Sequence, residues 1–488
     1  MSYGRAMRRG RRPSWQAASA AAILALAAWL RLRHLGLAEY DDDQAIALRI
    51  GHDILHGNVR TVGLASSSGA SNPPLYVYIV AFVVLVHDGL IFATVTTAVL
   101  AVVAVALTFV VVRRRFGAPV ALTTTALFAT APWAVLYGRH LWQQDYLPVV
   151  TVSLLWSLFA VLERSRTRVA LLVPVLFVVS IQLNLSAVAL ILPIAAVLAY
   201  RGRDVDWRAV VGGCTAGVVL LGPWLAHNAK HGFRDFSLIA DNGRGHGGAA
   251  GTGTIEAIRQ VVDLLSAEGW TFVTGEQHGG GAAWTLGRAA GVVVIVLLCI
   301  GIVTTVARVV RAGGRLGVDT ARRALLVAWL VGICLAYVTS SRNGVGPHYL
   351  IISYPVSFLL AALGLDDAAS VLGRRSAVAS LGVAAAIGGA FVAFTLSFQA
   401  FVQRNGGTAG NYDVVYDDAS ALAAAVHARR LHVDRASVEY LVSGHLNIPD
   451  GVPQNDVVTV RDRFRDHSPL PCSGQIRRFG KLEACFPP

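Results

Sequence analysis

The chain has 488 residues, 55% of them apolar and only 15% charged, where soluble domains carry about 25% charged residues; its mean hydropathy is +0.56. A soluble globular protein is excluded. Basic residues exceed acidic ones, 42 to 29, for a formal charge of +13, but Lys230 and Lys481 are the only lysines and the arginines cluster between apolar runs, a pattern that orients membrane helices and argues against nucleic-acid binding.

Arg5, Arg8, Arg9, Arg11 and Arg12 precede an apolar run over 14–37. Arg31 and Arg33 interrupt that run and no small-residue cleavage site follows, so it reads as a first transmembrane helix and not as a signal peptide. Further basic clusters fall at Arg113 to Arg115, at Arg164, Arg166 and Arg168, at Arg201, Arg203 and Arg208, at Arg308, Arg311, Arg315, Arg322 and Arg323, and at Arg374 and Arg375. Placing each cluster in the cytoplasm gives spans near 14–37, 89–112, 118–137, 147–162, 169–183, 186–200, 209–226, 287–307, 324–340, 349–364 and 376–400. The apolar segment Leu75 to Val86 is too short to span and is expected along the membrane surface or partly re-entrant.

The expected fold class is therefore an all-α polytopic membrane protein of about eleven transmembrane helices, with juxtamembrane helices in the first outer loop. Residues 1–13 form a cytoplasmic N-terminus and 14–400 the transmembrane domain, with outer loops at 38–88 and 227–286; an extracytoplasmic tail, 401–488, looks like a small α/β appendage. In the tail a helix is expected over Asp417 to Leu431 and strands over Ser437 to Val442 and Asp456 to Val460. Cys214, Cys299 and Cys334 lie inside apolar spans, where a thiol is a small apolar group; Cys472 and Cys485 lie in the exported tail, as a disulfide or as two free thiols.

The first outer loop opens with Glu39, Tyr40, Asp41, Asp42, Asp43 and Gln44. Such a run is either a solvated acidic turn or, because clustered carboxylates at a membrane edge are costly to desolvate, a group that binds a cation, shares a proton or acts as general base. Later in the loop Asn72-Pro73-Pro74-Leu75-Tyr76 ends one element and starts the next.

These two stretches together resemble the first periplasmic loop of the glycosyltransferase C superfamily, in the family 39-like branch of protein mannosyltransferases and aminoarabinose transferases. In that branch an aspartate, usually in an Asp-Glu pair, is the catalytic base. Asp43-Gln44 falls on that pair, so the resemblance makes Asp43 the base; Gln44 departs from it, and Asp41 or Asp42 is left to take any metal role. Asp42 is the second catalytic candidate, and Asp41, Gln44 and Asn72 are expected near substrate.

Three further stretches are similar to the same branch. Tyr137-Gly138-Arg139-His140-Leu141-Trp142-Gln143-Gln144-Asp145-Tyr146 matches its second outer turn, where Arg139 faces a lipid phosphate or merely anchors a helix end; Trp142 and Asp145 are expected beside substrate. Gln182 and Asn184 lie at a third outer turn, Asn184 departing from the family's usual histidine. Gly346-Pro347-His348-Tyr349-Leu350 opens the tenth span, its His348 and Tyr349 either phosphate or sugar contacts or a helix-start anchor.

The resemblance implies an inverting membrane glycosyltransferase that takes a mannose-like or other sugar from a polyprenyl-phosphate donor to an acceptor protein, lipid or glycan on the outer face of the bacterial cytoplasmic membrane. Arg139, then Arg31 or Arg33, would bind the donor phosphate, with a divalent cation as a possible helper. Arginine and alanine richness with two lysines suggests a GC-rich bacterial genome. The rival readings are a transporter or lipid flippase, and a scaffold indifferent to Asp43. Gly243-Arg244-Gly245-His246-Gly247-Gly248 matches a dinucleotide fingerprint but has no strand before it and reads as a loop; His227 and His231, four apart, read as interfacial histidines before a metal pair.

Overall fold

The structure is a computed structural model that describes residues 14–66, 69–164, 167–245, 252–275, 280–314, 316–338, 346–466 and 468–488. The chain is a multi-pass helical membrane protein. Its helices are α1 (Ser14–Leu32), α2 (Asp42–Leu55), α3 (Leu75–Val86), α4 (Leu90–Phe116), α5 (Ala118–Thr130), α6 (Pro132–Tyr137), α7 (Leu147–Glu163), α8 (Leu172–Leu183), α9 (Ile191–Arg201), α10 (Trp207–Lys230), α11 (Arg234–Gly245), α12 (Thr252–Leu265), α13 (Thr271–Thr274), α14 (Ala282–Arg311), α15 (Val318–Ala336), α16 (Tyr354–Ala369), α17 (Ser376–Asn405), α18 (Tyr416–His427) and α19 (Ala436–Ser443).

Every expected span coincides with a helix or a pair of helices, but eight among the described residues are long and apolar enough to cross a membrane. The others differ for local reasons. The expected span 118–137 is broken at Pro132, whose ring cannot accept the continuing helix geometry, so α5 and α6 meet at a bend. The apolar helix at Arg168–Leu183 is short, and α15 carries Asp319, Arg322 and Arg323 in its first two turns.

Helices approach closely where side chains are smallest. A Cβ on Gly301 of α14 would lie 2.1 Å from the Leu360 carbonyl oxygen of α16, and one on Gly364 would lie 2.0 Å from that of Leu297. Only glycine allows backbones that near, as in membrane helix pairs generally. At the end of the bundle where α4 and α7 finish, Glu163 pairs with Arg115 at 2.7 Å and Arg322 at 3.0 Å, and Asp367 with Arg323 at 2.7 Å and Arg308 at 2.9 Å. These four arginines of α4, α14 and α15 thus gather with two acidic partners at one end, a helix length of about 40 Å from the loop between α1 and α4.

The tail is a four-stranded sheet in the order β1 (His432–Val433), β2 (Val457–Asp462), β4 (Leu482–Phe486), β3 (Gln475–Phe479), with β1 and β2 parallel and the other pairs antiparallel. α18 and β2 fall where the sequence places them, but the expected strand Ser437 to Val442 is the helix α19. Its alternation of apolar and polar residues loses to local contacts: Glu439, inside the helix, accepts the backbone N–H of Val433 in β1 at 2.9 Å, and Gly444, at φ 73°, ends the helix. Lys481 is fully buried and donates from Nζ to Asp462 at 2.7 Å, to the Thr408 carbonyl at 2.9 Å and toward Asp413 at 3.3 Å, tying the sheet to the end of α17. Cys472 and Cys485 form a disulfide with Cα atoms 5.5 Å apart. In the segment expected to be a loop, Gly243 to Gly245 end helix α11, and His246 to Gly248 lie outside the described residues.

Candidate active site

Residues 37–44 leave α1 and enter α2 under tight constraint. Asp41 is the helix N-cap: its carboxylate accepts the N–H of Asp43 at 2.8 Å and of Gln44 at 3.3 Å, while the Gln44 side-chain oxygen accepts the N–H of Asp41 at 2.6 Å. This reciprocal cap satisfies donors that a helix start otherwise leaves unpaired. Three adjacent acids consequently part company. Asp41 is spent on the cap, Asp42 accepts the backbone N–H of Ser437 at 2.9 Å, and Asp43 is exposed and, among the described residues, accepts no hydrogen bond and forms no ion pair.

Below them lies a buried polar knot. Gln44 is fully buried, with its amide nitrogen 3.0 Å from His140 Nε2. The same Nε2 is 3.1 Å from the Glu39 carboxylate, and Nδ1 is 3.3 Å from Asp145. Asp145 also accepts the N–H of Trp142 at 2.9 Å, and its second oxygen is buried without a partner. Burial works against a charged imidazole, but the hydrogen bonds and charges of Asp145 and Glu39 outweigh it and push His140 up to about 10. Burial likewise pushes Asp41 up to about 7, with Glu39 adding to the rise and His140 opposing it. Asp43 is raised above the usual carboxylate range by lost hydration, against the pull of His140 and with the help of Asp42 and Glu39. A carboxylate held above its ordinary pKa is a better proton acceptor at neutral pH.

The tail clamps this segment. Tyr40 donates from its hydroxyl to the Ser437 carbonyl at 3.0 Å, its N–H to Val414 at 2.9 Å, and Asp413 N–H to Glu39 at 2.7 Å; Tyr412 OH reaches the Leu37 carbonyl. A narrow cleft of about 20 Å³, room for little more than a water, lies between Glu39, His140, Trp142, Asn411 and Tyr412. A second of similar size shares Tyr412 and is lined by Arg139, Trp270, Thr395 and Gln399. Arg139, Trp270, Thr395 and Gln399 each leave one buried polar atom unpartnered there, as does Trp142 in the first cleft.

The remaining sequence-derived candidates divide. Arg139 is buried and donates to the His34 carbonyl at 2.7 Å. His348 packs edge-on to Trp142, ring centroids 5.3 Å apart, with Nδ1 buried and unpartnered, and Tyr349 sits against it. Arg33 stacks on Trp29 with its guanidinium carbon 4.5 Å from the ring centroid. Arg31 is fully buried and its guanidinium donates to the carbonyls of Ala27, Phe128, Ala129 and Ala134 at 2.9 to 3.4 Å. It locks α1 against the α5–α6 bend through its two terminal nitrogens, and its buried Nε–H is left without a partner. Asn72 donates to the Leu64 carbonyl at 3.0 Å and closes its own loop; Gln182 donates to Leu220 at 3.3 Å, and Asn184 caps the turn at Ser186, 2.9 Å. Asn72 and Asn184 shape turns, and Gln182 ties α8 to α10. His227 and His231 stack with ring centroids 4.1 Å apart, away from the knot.

Glu39, His140 and Tyr412 are central to this geometry and were not singled out from the sequence, because their partners lie about a hundred or several hundred residues away. No group of three or more His, Cys, Asp or Glu among the described residues is placed to hold a metal. Asp41 Oδ1 is taken by the cap, Asp42 Oδ1 by Ser437, and both His140 nitrogens by neighbouring side chains.

A family model of dolichyl-phosphate-mannose-protein mannosyltransferases matches residues 71–227, from the turn before α3 to the end of α10. A crystal structure of ArnT from Cupriavidus metallidurans bound to undecaprenyl phosphate aligns over 97% of this chain and 98% of its own, with TM-score 0.60 and 12% identity. The chain has the glycosyltransferase C fold. The apo form of the same ArnT aligns over 96% and 98%, with TM-score 0.57 and 13% identity. No curated protein matches the chain in sequence. The matched family stretch holds Arg139, His140 and Asp145; Asp43 lies before it. The resemblance drawn from the loop motifs is borne out as a likeness, in sequence to the mannosyltransferase family over residues 71–227 and in fold to ArnT.

Proposed function

We propose that the chain is a membrane glycosyltransferase that moves a sugar from a polyprenyl-phosphate donor to an acceptor on the outer face of the bacterial cytoplasmic membrane, with the N-terminus inside and the tail outside. The observation that carries this reading is the division of labour at residues 41–43. Two acids are committed to structure, and Asp43 alone presents a free carboxylate beside the buried knot. A spare, raised carboxylate at that position is what general-base activation of a hydroxyl requires. The family match over 71–227 and the likeness to a protein crystallised with undecaprenyl phosphate support the donor class.

Asp43 takes the proton of an acceptor hydroxyl as that oxygen attacks the anomeric carbon from the face opposite the phosphate. The bond between that carbon and the phosphate oxygen breaks, its electron pair leaves with the lipid phosphate, and the anomeric centre inverts. Arg139 supplies positive charge to the departing phosphate through the Nε–H left unpartnered in the cleft it lines; guanidinium matches phosphate oxygens in charge and geometry. The gathering of Arg115, Arg308, Arg322 and Arg323 at the opposite end of the bundle supports the stated orientation. The reading is tested by offering membranes a panel of radiolabelled polyprenyl-phosphate mannose, glucose, arabinose and aminoarabinose. Label moving into lipid-free acceptor with at least one donor supports it; no transfer from any donor overturns it.

A further inference from the structure

We infer that α11 is an in-plane membrane anchor, lying on the outer leaflet with Phe233, Phe236 and Ile239 in the lipid, so that the partner of this surface is the bilayer itself. The inference stands on the helix's own geometry and goes beyond the glycosyltransferase reading. α10 is long and apolar enough to cross a membrane, and α11 follows it after the short turn 231–233, so α11 starts where α10 leaves the bilayer.

α11 shows three faces. Asp235 and Leu238 face the protein: Asp235 is buried and accepts the Asn228 amide at 3.1 Å and the Ser71 N–H at 3.0 Å, and Leu238 is half-buried. Ser237 and Asp241, four apart, form an exposed polar face. Phe236 and Ile239, three apart, form an exposed apolar face, 44% and 36% accessible, and Phe233 just ahead of the helix is 53% accessible. Phe233 holds a left-handed backbone, φ 57°, a conformation that glycine or asparagine takes at less cost, and its ring packs edge-on to that of Phe236 with centroids 5.9 Å apart. An apolar face turned away from the protein, with the polar residues on a separate arc, is the pattern of a helix in a membrane interface.

Contacts with α10 set the depth. The Phe236 ring lies 5.1 Å from that of Trp224, and Trp224 stands six residues before the end of α10, a rise of about 9 Å. The apolar face therefore reaches back along α10 toward the bilayer, within the roughly 5 to 10 Å that interfacial helices sink. One turn below Trp224, Leu220 is 42% accessible, and Val218 and Val219 beside it are more so; this length of α10 is the lipid-facing side of a span, and Phe236 continues it. That continuity selects lipid over a protein partner. Trp224, Phe233 and Phe236 make an aromatic cluster of the kind that sits at headgroup level. Lys230 and Arg234, both exposed and, among the described residues, without an ion pair, flank it with stems long enough to carry their charges to the headgroups.

The anchor also fixes the first outer loop. Asp235 takes the Ser71 N–H, and Trp224 Nε1 donates to the Ser71 carbonyl at 2.9 Å, directly before Asn72-Pro73-Pro74 and the start of α3. The height of that turn above the lipid is thus set by α11.

The test uses the full chain in lipid nanodiscs, with Cys214, Cys299 and Cys334 replaced by alanine and one cysteine introduced at a time: Phe236→Cys and Ile239→Cys on the apolar face, Ser237→Cys and Asp241→Cys on the polar face. Each is nitroxide-labelled without reductant, so that the Cys472–Cys485 disulfide stays closed. Collision rates are read by electron paramagnetic resonance with oxygen, which concentrates in lipid, and with a nickel chelate, which stays in water. Oxygen collisions exceeding nickel collisions severalfold at 236 and 239, with the reverse at 237 and 241, support the inference. Nickel collisions dominating at 236 and 239 would put that face in water and overturn it. Immobile labels at 236 and 239 that neither reagent reaches would show a protein covering the face, a second copy of this chain included, and would overturn it equally. The readout needs no sugar transfer, so a failure of the proposed reaction leaves it untouched.

Discussion

The Glu39 carboxylate lies 3.1 Å from His140 Nε2, so a residue at the start of the first loop and one at the second turn share a buried hydrogen bond across a hundred positions of sequence. Asp145 on the ring's other nitrogen, 3.3 Å away, makes the imidazole a cation between two carboxylates. That cation opposes the rise in Asp43 caused by lost hydration and by Asp42 and Glu39.

Replacing His140 with glutamine removes the charge. Asp43 then loses the influence that favours its ionised form, and its pKa moves further up. The acid limb of a plot of kcat/KM against pH should shift to higher pH in His140→Gln, with the rate rising as Asp43 deprotonates. His140 itself stays charged up to about 10 and adds no limb between about pH 5 and 8. An unchanged limb would show that His140 does not act on the base.

Arg31 and Arg139 should separate cleanly. Arg31→Ala strips four carbonyls of their donor and should cost about 3 kcal/mol of stability, seen as lower yield and a lower melting temperature, with donor KM unchanged in the protein that survives. Arg139→Ala should raise donor KM and lower kcat by about tenfold or more. Thermal shift and kinetics on the same preparations decide between the two patterns.

Much of the fold was legible because membrane helices announce themselves by apolar length and arginine flanks: every expected span has its helix, and Pro73-Pro74 marks the start of α3. The acidic run pointed to Asp43, but nothing in it said that Asp41 would cap α2 or that Asp42 would reach Ser437. Those fates are decided by backbone N–H groups, which every sequence contains. β3 and β4 escaped notice for opposite reasons. Gln475–Phe479 is almost wholly exposed and polar, and Leu482–Phe486 is buried on both faces, so neither alternates. Nothing in the sequence around Arg31 announced the carbonyl partners, from α1, α5 and α6, that take its two terminal nitrogens.

The tail disulfide closes a loop with sequence separation 13, for which chain entropy gives a stabilisation of roughly 3 kcal/mol. A thiol-specific label should therefore modify Cys472 and Cys485 only after reduction, and the Cys472→Ser/Cys485→Ser pair should melt at lower temperature. Labelling of both thiols without reductant would contradict the bond.

Asp42→Ala removes the acceptor of the Ser437 N–H and should cost about 1 kcal/mol, with transfer reduced less than tenfold. A loss as deep as that of Asp43 would mean the two acids had been assigned the wrong way round.

The most direct measurement is transfer from the radiolabelled polyprenyl-phosphate sugar that the parent uses, compared between parent and Asp43→Asn at matched expression. The central claim predicts a loss of about a hundredfold or more in Asp43→Asn, the scale of a missing general base, with protein yield and melting temperature unchanged. Transfer by Asp43→Asn equal to the parent would contradict it.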